Sequence, residues 1–96
     1  MELPEISINK DKKRFELQVD HHTAKLYYEA YEPSVWRLTS TQVPGDLKGQ
    51  GVGSSLVKQT VQYCRNNHIR VIPECPFIVK YMDRHPEMKD VLFEQG

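Results

Sequence analysis

Two short segments hold the residues best able to do chemistry. Lys48-Gly49-Gln50-Gly51-Val52-Gly53-Ser54 concentrates glycine, and Pro73-Glu74-Cys75-Pro76-Phe77 sets a thiol beside a proline. Four of the five glycines, Gly45, Gly49, Gly51 and Gly53, stand immediately before a stretch with helical spacing. Glycine loses more conformational freedom on folding than any other residue, so the cluster needs a cause. A loop ending in Gly-x-Gly at the start of a helix leaves the first helical amides unsatisfied, and without Cβ atoms a ligand can approach them closely. The helix dipole adds partial positive charge there, which suits an anion of pyrophosphate size. A purely structural turn would use the same glycines, and the residues alone leave both readings open. Two better-known phosphate patterns fit poorly. Gln50 or Ser54 falls where a Walker motif needs its Gly-Lys, and Ser54 replaces the third glycine of a dinucleotide motif that could begin at Gly49.

Cys75 lies between the end of an expected strand and Pro76, which puts it at or next to the N-cap of the last helix. A thiol there is pulled toward thiolate by the dipole, while Glu74 pushes the other way, so the sequence does not sign the net shift. The plainer alternative is a small buried hydrophobe, which is the reading for Cys64 on the apolar side of the preceding helix. His85, before Pro86, reads as a helix-end cap. His21 and His22 are adjacent on an expected strand and point to opposite faces, so they do not share an ion, and no metal site is expected.

The elements that must position these groups follow from periodicity. The first half alternates with period two: Ile6 and Ile8; Phe15, Leu17 and Val19; Ala24, Leu26, Tyr28 and Ala30 on one face. After "EPS", Val35, Arg37, Thr39, Thr41 and Val43 oppose Trp36, Leu38, Ser40 and Gln42. Short connections make this an antiparallel meander of four strands. From Val52 the period becomes helical through Leu56, Thr60 and Tyr63, flanked by Val57, Val61 and Cys64, with Asn66 and Asn67 able to cap the end. "IRVI", closed by Pro73, reads as a strand returning parallel through that crossover helix. A second, shorter helix follows, with Pro76 in its first turn and Pro86 ending it. The expected architecture is α+β, one domain over residues 1–96.

Composition limits the function classes. Thirteen Lys and Arg balance thirteen Asp and Glu, which gives no pull toward nucleic acid or an anionic membrane. With 39 % hydrophobic and 27 % charged residues the chain reads as globular. The N-terminus has neither an apolar signal core nor a transit-peptide composition, and two cysteines without a secretion signal are expected as reduced thiols in the cytoplasm.

Residues 48–53 resemble the Gln/Arg-x-x-Gly-x-Gly/Ala coenzyme A signature of the GNAT N-acetyltransferase superfamily, with Lys48 where Gln or Arg is usual. Over residues 34–92, including Pro-x-Cys-Pro-Phe, the chain resembles the minimal, roughly hundred-residue acetyltransferase-like proteins of that superfamily. The resemblance implies a GNAT-like mixed sheet and an acetyl-CoA-dependent transfer to a primary amine of a protein lysine or small molecule. It implies that Lys48, Gly49, Gln50, Gly51, Val52, Gly53 and Ser54 cradle the coenzyme A pyrophosphate. The pantetheine arm would then run along backbone near Thr41 and Val43, with Cys75 as the active-site residue. Tyr81, in the matched segment, is placed to donate a proton to the departing thiolate or simply to pack. One departure stands out: Ser40-Thr41 occupies the place of the His-Thr common in the minimal family, and Ser40 cannot serve as a base near neutral pH. That substitution supports an alternative reading, a module that binds coenzyme A or acyl-CoA without turnover. A single-cysteine redox protein ranks last, since it leaves the glycine loop unexplained.

Overall fold

A computed structural model describes residues 4–93. Five strands, β1 (Ser7–Asn9), β2 (Arg14–Val19), β3 (His22–Glu32), β4 (Val35–Gln42) and β5 (Arg70–Pro73), form one sheet in chain order. The first four pair antiparallel, and β5 pairs parallel to β4. The crossover between them is α1 (Val52–Asn66), and α2 (Pro76–Arg84) follows β5. Short 3₁₀ segments occupy Gly45–Leu47 and Pro86–Val91. This is the α+β, GNAT-like mixed sheet expected from the sequence. Among the described residues no helix is long and apolar enough to cross a membrane.

Hydrophobic alternation sets which face is covered. Phe15 sits opposite Leu26 and Leu17 opposite Ala24, so these side chains project together onto α1. From α1, Val52, Leu56, Val57, Val61 and Cys64 are buried against them, at the helical spacing read from the sequence. Phe15, Tyr28, Trp36 and Tyr63 pack as an aromatic group, with Tyr28 and Trp36 stacked at 4.1 Å. Ala30 departs from the expected pattern and is exposed.

The expected single alternation along β4 is broken. Tyr28 pairs with Leu38 but Tyr27 pairs with Ser40, leaving Thr39 as an unpaired extra residue, a β-bulge; a second irregularity lies between Ala30 and Glu32. An extra residue reverses the facing of everything after it. Thr41 consequently sits opposite the buried Leu26 and shares the helix-side face with Leu38, while Ser40 sits opposite Tyr27 on the other face. Uninterrupted alternation would have put Leu38 and Ser40 together and Thr41 away from them.

Two smaller readings also change. His21 lies in the β2–β3 turn after left-handed Asp20, and only His22 is on a strand, with its Nε2 3.3 Å from Asp46. At the end of α1, Asn67 is the C-cap and its side-chain amide donates to the Tyr63 carbonyl at 2.8 Å. The left-handed residue that closes the helix is His68, φ +58°, after which Ile69 N–H donates to the Cys64 carbonyl at 2.8 Å.

Thr60, on the buried face of α1, is wholly enclosed, and its Oγ1 has no hydrogen-bond partner. A buried hydroxyl left unmade costs stability, whereas a valine of the same shape does not. Thr60→Val should therefore raise stability by about 1 kcal/mol, read as a higher urea midpoint at unchanged slope.

Candidate active site

β4 and β5 run together for only four pairs, from Val35–Arg70 to Leu38–Pro73. There the Leu38 carbonyl accepts from both Glu74 N–H (3.0 Å) and Cys75 N–H (3.3 Å), and the chain turns away into α2. β4 itself continues, paired with β3, to Gln42. From Thr39 onward the edge of β4 that faced β5 has no strand partner among the described residues; the Thr41 backbone N–H turns to the Cys75 thiol, and the rest of the edge is open to an extended ligand.

That open edge leads into a cleft of about 820 Å³. Its walls are Thr41 and Gln42 at the end of β4, Val43, Pro44, Leu47, Lys48, Gly49 and Gly51 of the loop that follows, and Val52, Gly53 and Ser54 at the start of α1. Gly51 is the N-cap of α1 at φ +75°, and Gly49 stands at φ +82°; both are in the left-handed region that glycine enters without strain. No side chain caps α1, so its first amides are left for a ligand. Gly53 is glycine for a different reason: a Cβ there would lie 2.9 Å from the Phe77 ring, which reaches across from α2 and also lines the cleft.

Cys75 is the N-cap of α2, with Pro76 in the first turn, as the sequence predicts. It is partly buried, and its Sγ lies 3.5 Å from the Thr41 hydroxyl, which the β4 bulge has turned to this side. Burial pushes the thiol up, but the Thr41 hydroxyl, the unsatisfied backbone N–H groups of Ile78 and Phe77 and the Thr41 backbone N–H outweigh it, and the thiol titrates below its ordinary value. Sγ closes no capping hydrogen bond in the geometric sense; the amides act as an electrostatic stabiliser of the thiolate rather than as a fixed cap. Glu74 does not undo this, because Arg37 holds its carboxylate at 2.9 and 3.0 Å. The contrast is Cys64, wholly buried in the core, where desolvation pushes the thiol up to about 12.

The GCN5-related N-acetyl-transferase family model matches residues 14–91. The chain belongs to this family. Protein NATD1 of Gallus gallus is 27 % identical over an 85-position alignment that covers 84 % of this chain and 77 % of that protein. The solution structure of a GCN5-like protein from Staphylococcus aureus, provisionally assigned as an N-acetyltransferase, superposes with a TM-score of 0.72. It is 26 % identical, and the match covers all of this chain and 94 % of that one. Acetyl transfer is thus the class of chemistry to which this GNAT fold belongs.

Within that family frame, the structure brings together most of the residues singled out from sequence. Thr41, Val43, Lys48, Gly49, Gly51, Val52, Gly53 and Ser54 line one cleft, and Cys75 joins it through Thr41. Gln50 stands apart: its side-chain amide turns back to the Asp46 carbonyl at 3.1 Å. Tyr81 is buried on α2 and stacks on His85 at 4.2 Å, outside the cleft lining. Ser40 is on the opposite face of β4 from Thr41. Sequence reasoning missed Thr23, Lys25 and Phe77 in the lining and Arg37 beside Glu74. Only Phe77 lay within a segment already singled out; Thr23, Lys25 and Arg37 reach the site through sheet pairing, which leaves no local signal.

Alkylation tests the two thiols. With iodoacetamide at pH 7, Cys75 should react much faster than Cys64, because only thiolate attacks. Arg37→Ala, by freeing the Glu74 carboxylate next to the thiol, should raise the Cys75 pKa and slow that reaction. Equal rates at the two cysteines, measured by peptide mass spectrometry, would show that the α2 N-terminus does not activate Cys75.

Proposed function

We propose that the protein is an acetyl-CoA-dependent N-acetyltransferase that moves an acetyl group to a primary amine, of a protein lysine or a small molecule, with Cys75 at the active site. The observation that carries this reading is the continuity of three features. An uncapped glycine-rich helix start and the end of an unpaired strand edge line one cleft, and Thr41 of that lining touches the Cys75 thiol just beyond it. They suit, in order, the pyrophosphate, the amide-bearing pantetheine arm and the thioester of acetyl-CoA. Gly49, Gly51 and Gly53, with Lys48 and Ser54, hold the phosphates; backbone at Thr41 and Val43 pairs with pantetheine. The protein is read as cytoplasmic, in keeping with two free cysteines.

The chemistry asks for a neutral amine. A lysine amine of pKa about 10.4 is almost wholly protonated at pH 7, so a base must take its proton before nitrogen attacks the thioester carbonyl. A new C–N bond then forms, the C–S bond breaks and coenzyme A leaves as thiolate. The Cys75 thiolate serves in one of two ways: as that base, or as a nucleophile that first takes the acetyl group as its own thioester and then passes it to the amine. Trapping acetyl-Cys75 by mass spectrometry in the absence of amine separates them. Tyr81, buried and away from the cleft, is better suited to packing than to protonating the leaving thiolate.

Two variants test the assignment. Gly51→Val, at a φ that a β-branched residue adopts only under strain, should lower coenzyme A affinity at least tenfold, on the order of the ~1.4 kcal/mol that one lost charge-assisted contact is worth. Unchanged calorimetric affinity in folded Gly51→Val would remove the site from this loop. Cys75→Ala should leave coenzyme A affinity within a few-fold while lowering acetyl transfer to lysine peptides or polyamines by roughly 10²–10⁴-fold. Turnover that persists would move the chemistry to another group. Tight coenzyme A binding with no turnover by wild type would favour the module that binds without transfer.

A further inference from the structure

Lys25 stands on β3 opposite Glu16 of β2 and Gln42 of β4. Opposite side chains on neighbouring antiparallel strands share a face, so Glu16 is the natural ion-pair partner of Lys25. That partner is taken. Arg14 holds the Glu16 carboxylate at 2.6 Å and is itself steadied by the Tyr27 hydroxyl at 3.3 Å. Lys25 makes no ion pair or side-chain hydrogen bond among the described residues. Instead its half-buried side chain lines the cleft where the cleft wraps over the end of β4.

A second lysine, Lys48, enters the same lining from the glycine loop, and no Asp or Glu lines the cleft at all. The carboxylate of the loop, Asp46, lies outside the lining and faces His22 at 3.3 Å. A chain of zero formal charge thus gathers two uncompensated ammonium groups around one cavity. Two lysines with no carboxylate among the lining residues give the cleft a positive wall that favours an anion.

We propose that Lys25 binds a phosphate of the coenzyme from the sheet side of the cleft, so that the phosphates are gripped between β3 and the glycine loop rather than held by the loop alone. This rests on the coenzyme A reading above. That ligand carries a pyrophosphate and a further phosphate on its ribose, enough charge for two separate anchors.

Calorimetric titration of coenzyme A and of dephospho-coenzyme A, which lacks the ribose phosphate, tests the assignment on the wild-type chain and three variants. Lys25→Gln, and Lys25→Met with its apolar stem preserved, should each weaken coenzyme A binding about tenfold. Lys25→Arg should retain most of the affinity, and thermal melts check that each variant is folded. A loss with coenzyme A but not with dephospho-coenzyme A places Lys25 on the ribose phosphate. An equal loss with both places it on the pyrophosphate, and either result supports the two-sided grip. Unchanged coenzyme A affinity in both folded neutral variants, with wild-type binding intact, would overturn this proposal alone. No coenzyme A binding by wild type would overturn it together with the coenzyme reading.

Discussion

The parting of β4 from β5 at Leu38 is the constraint on which the rest of the site depends. One carbonyl receives two successive amides, those of Glu74 and Cys75, and this marks the point where β5 stops being a strand and becomes the start of a helix. The chain there has little choice. Pro73 has no N–H to extend the ladder, and Pro76 is pre-set for a first helical turn. β4 is held in the sheet by β3 for four residues more, so it emerges with one edge unpaired. The same turn that frees this edge delivers Cys75 to its side.

What happens to the thiol shows how environment outranks residue type. Cys64 is buried and Cys75 partly so, and burial alone drives a thiol upward, as it does for Cys64. At Cys75 the same penalty is reversed by the Thr41 hydroxyl and by helix amides that have no intrahelical partner. The neighbouring carboxylate would spoil the balance if it were free. Arg37, 37 residues earlier in the chain, draws it aside with two hydrogen bonds and also reaches Glu29 at 3.3 Å.

The glycine loop shows a comparable division of labour. Gly49 and Gly51 are required by backbone conformation, and Gly51 begins α1 with its amides uncapped. Gly53 is required by contact, since the Phe77 ring fills the space a side chain would take. At Gly45, φ is ordinary and a Cβ would meet nothing within 4 Å, so the structure gives no reason for glycine there. Phe77, two residues after Cys75, therefore ties α2 to the start of α1.

Much of this was legible in the sequence because it is local. Alternation of period two marked the strands, helical spacing marked α1, and Pro76 and the glycines marked the two helix starts; neighbours along the chain impose all of these. The phase of β4 was not legible. Nothing in "RLTSTQV" distinguishes a bulge at Thr39 from regular alternation, because a bulge is a mismatch between two strands and exists only once β3 is paired. The same holds for Arg37 beside Glu74 and for Lys25 at the cleft. A charge's partner is decided by sheet register and by competition with other charges, as when Arg14 takes Glu16 and leaves Lys25 free. Sequence by itself determined the elements and the loop that opens α1. Tertiary structure alone decided which side chains face one another across the site, because that depends on long-range pairing that no local periodicity encodes.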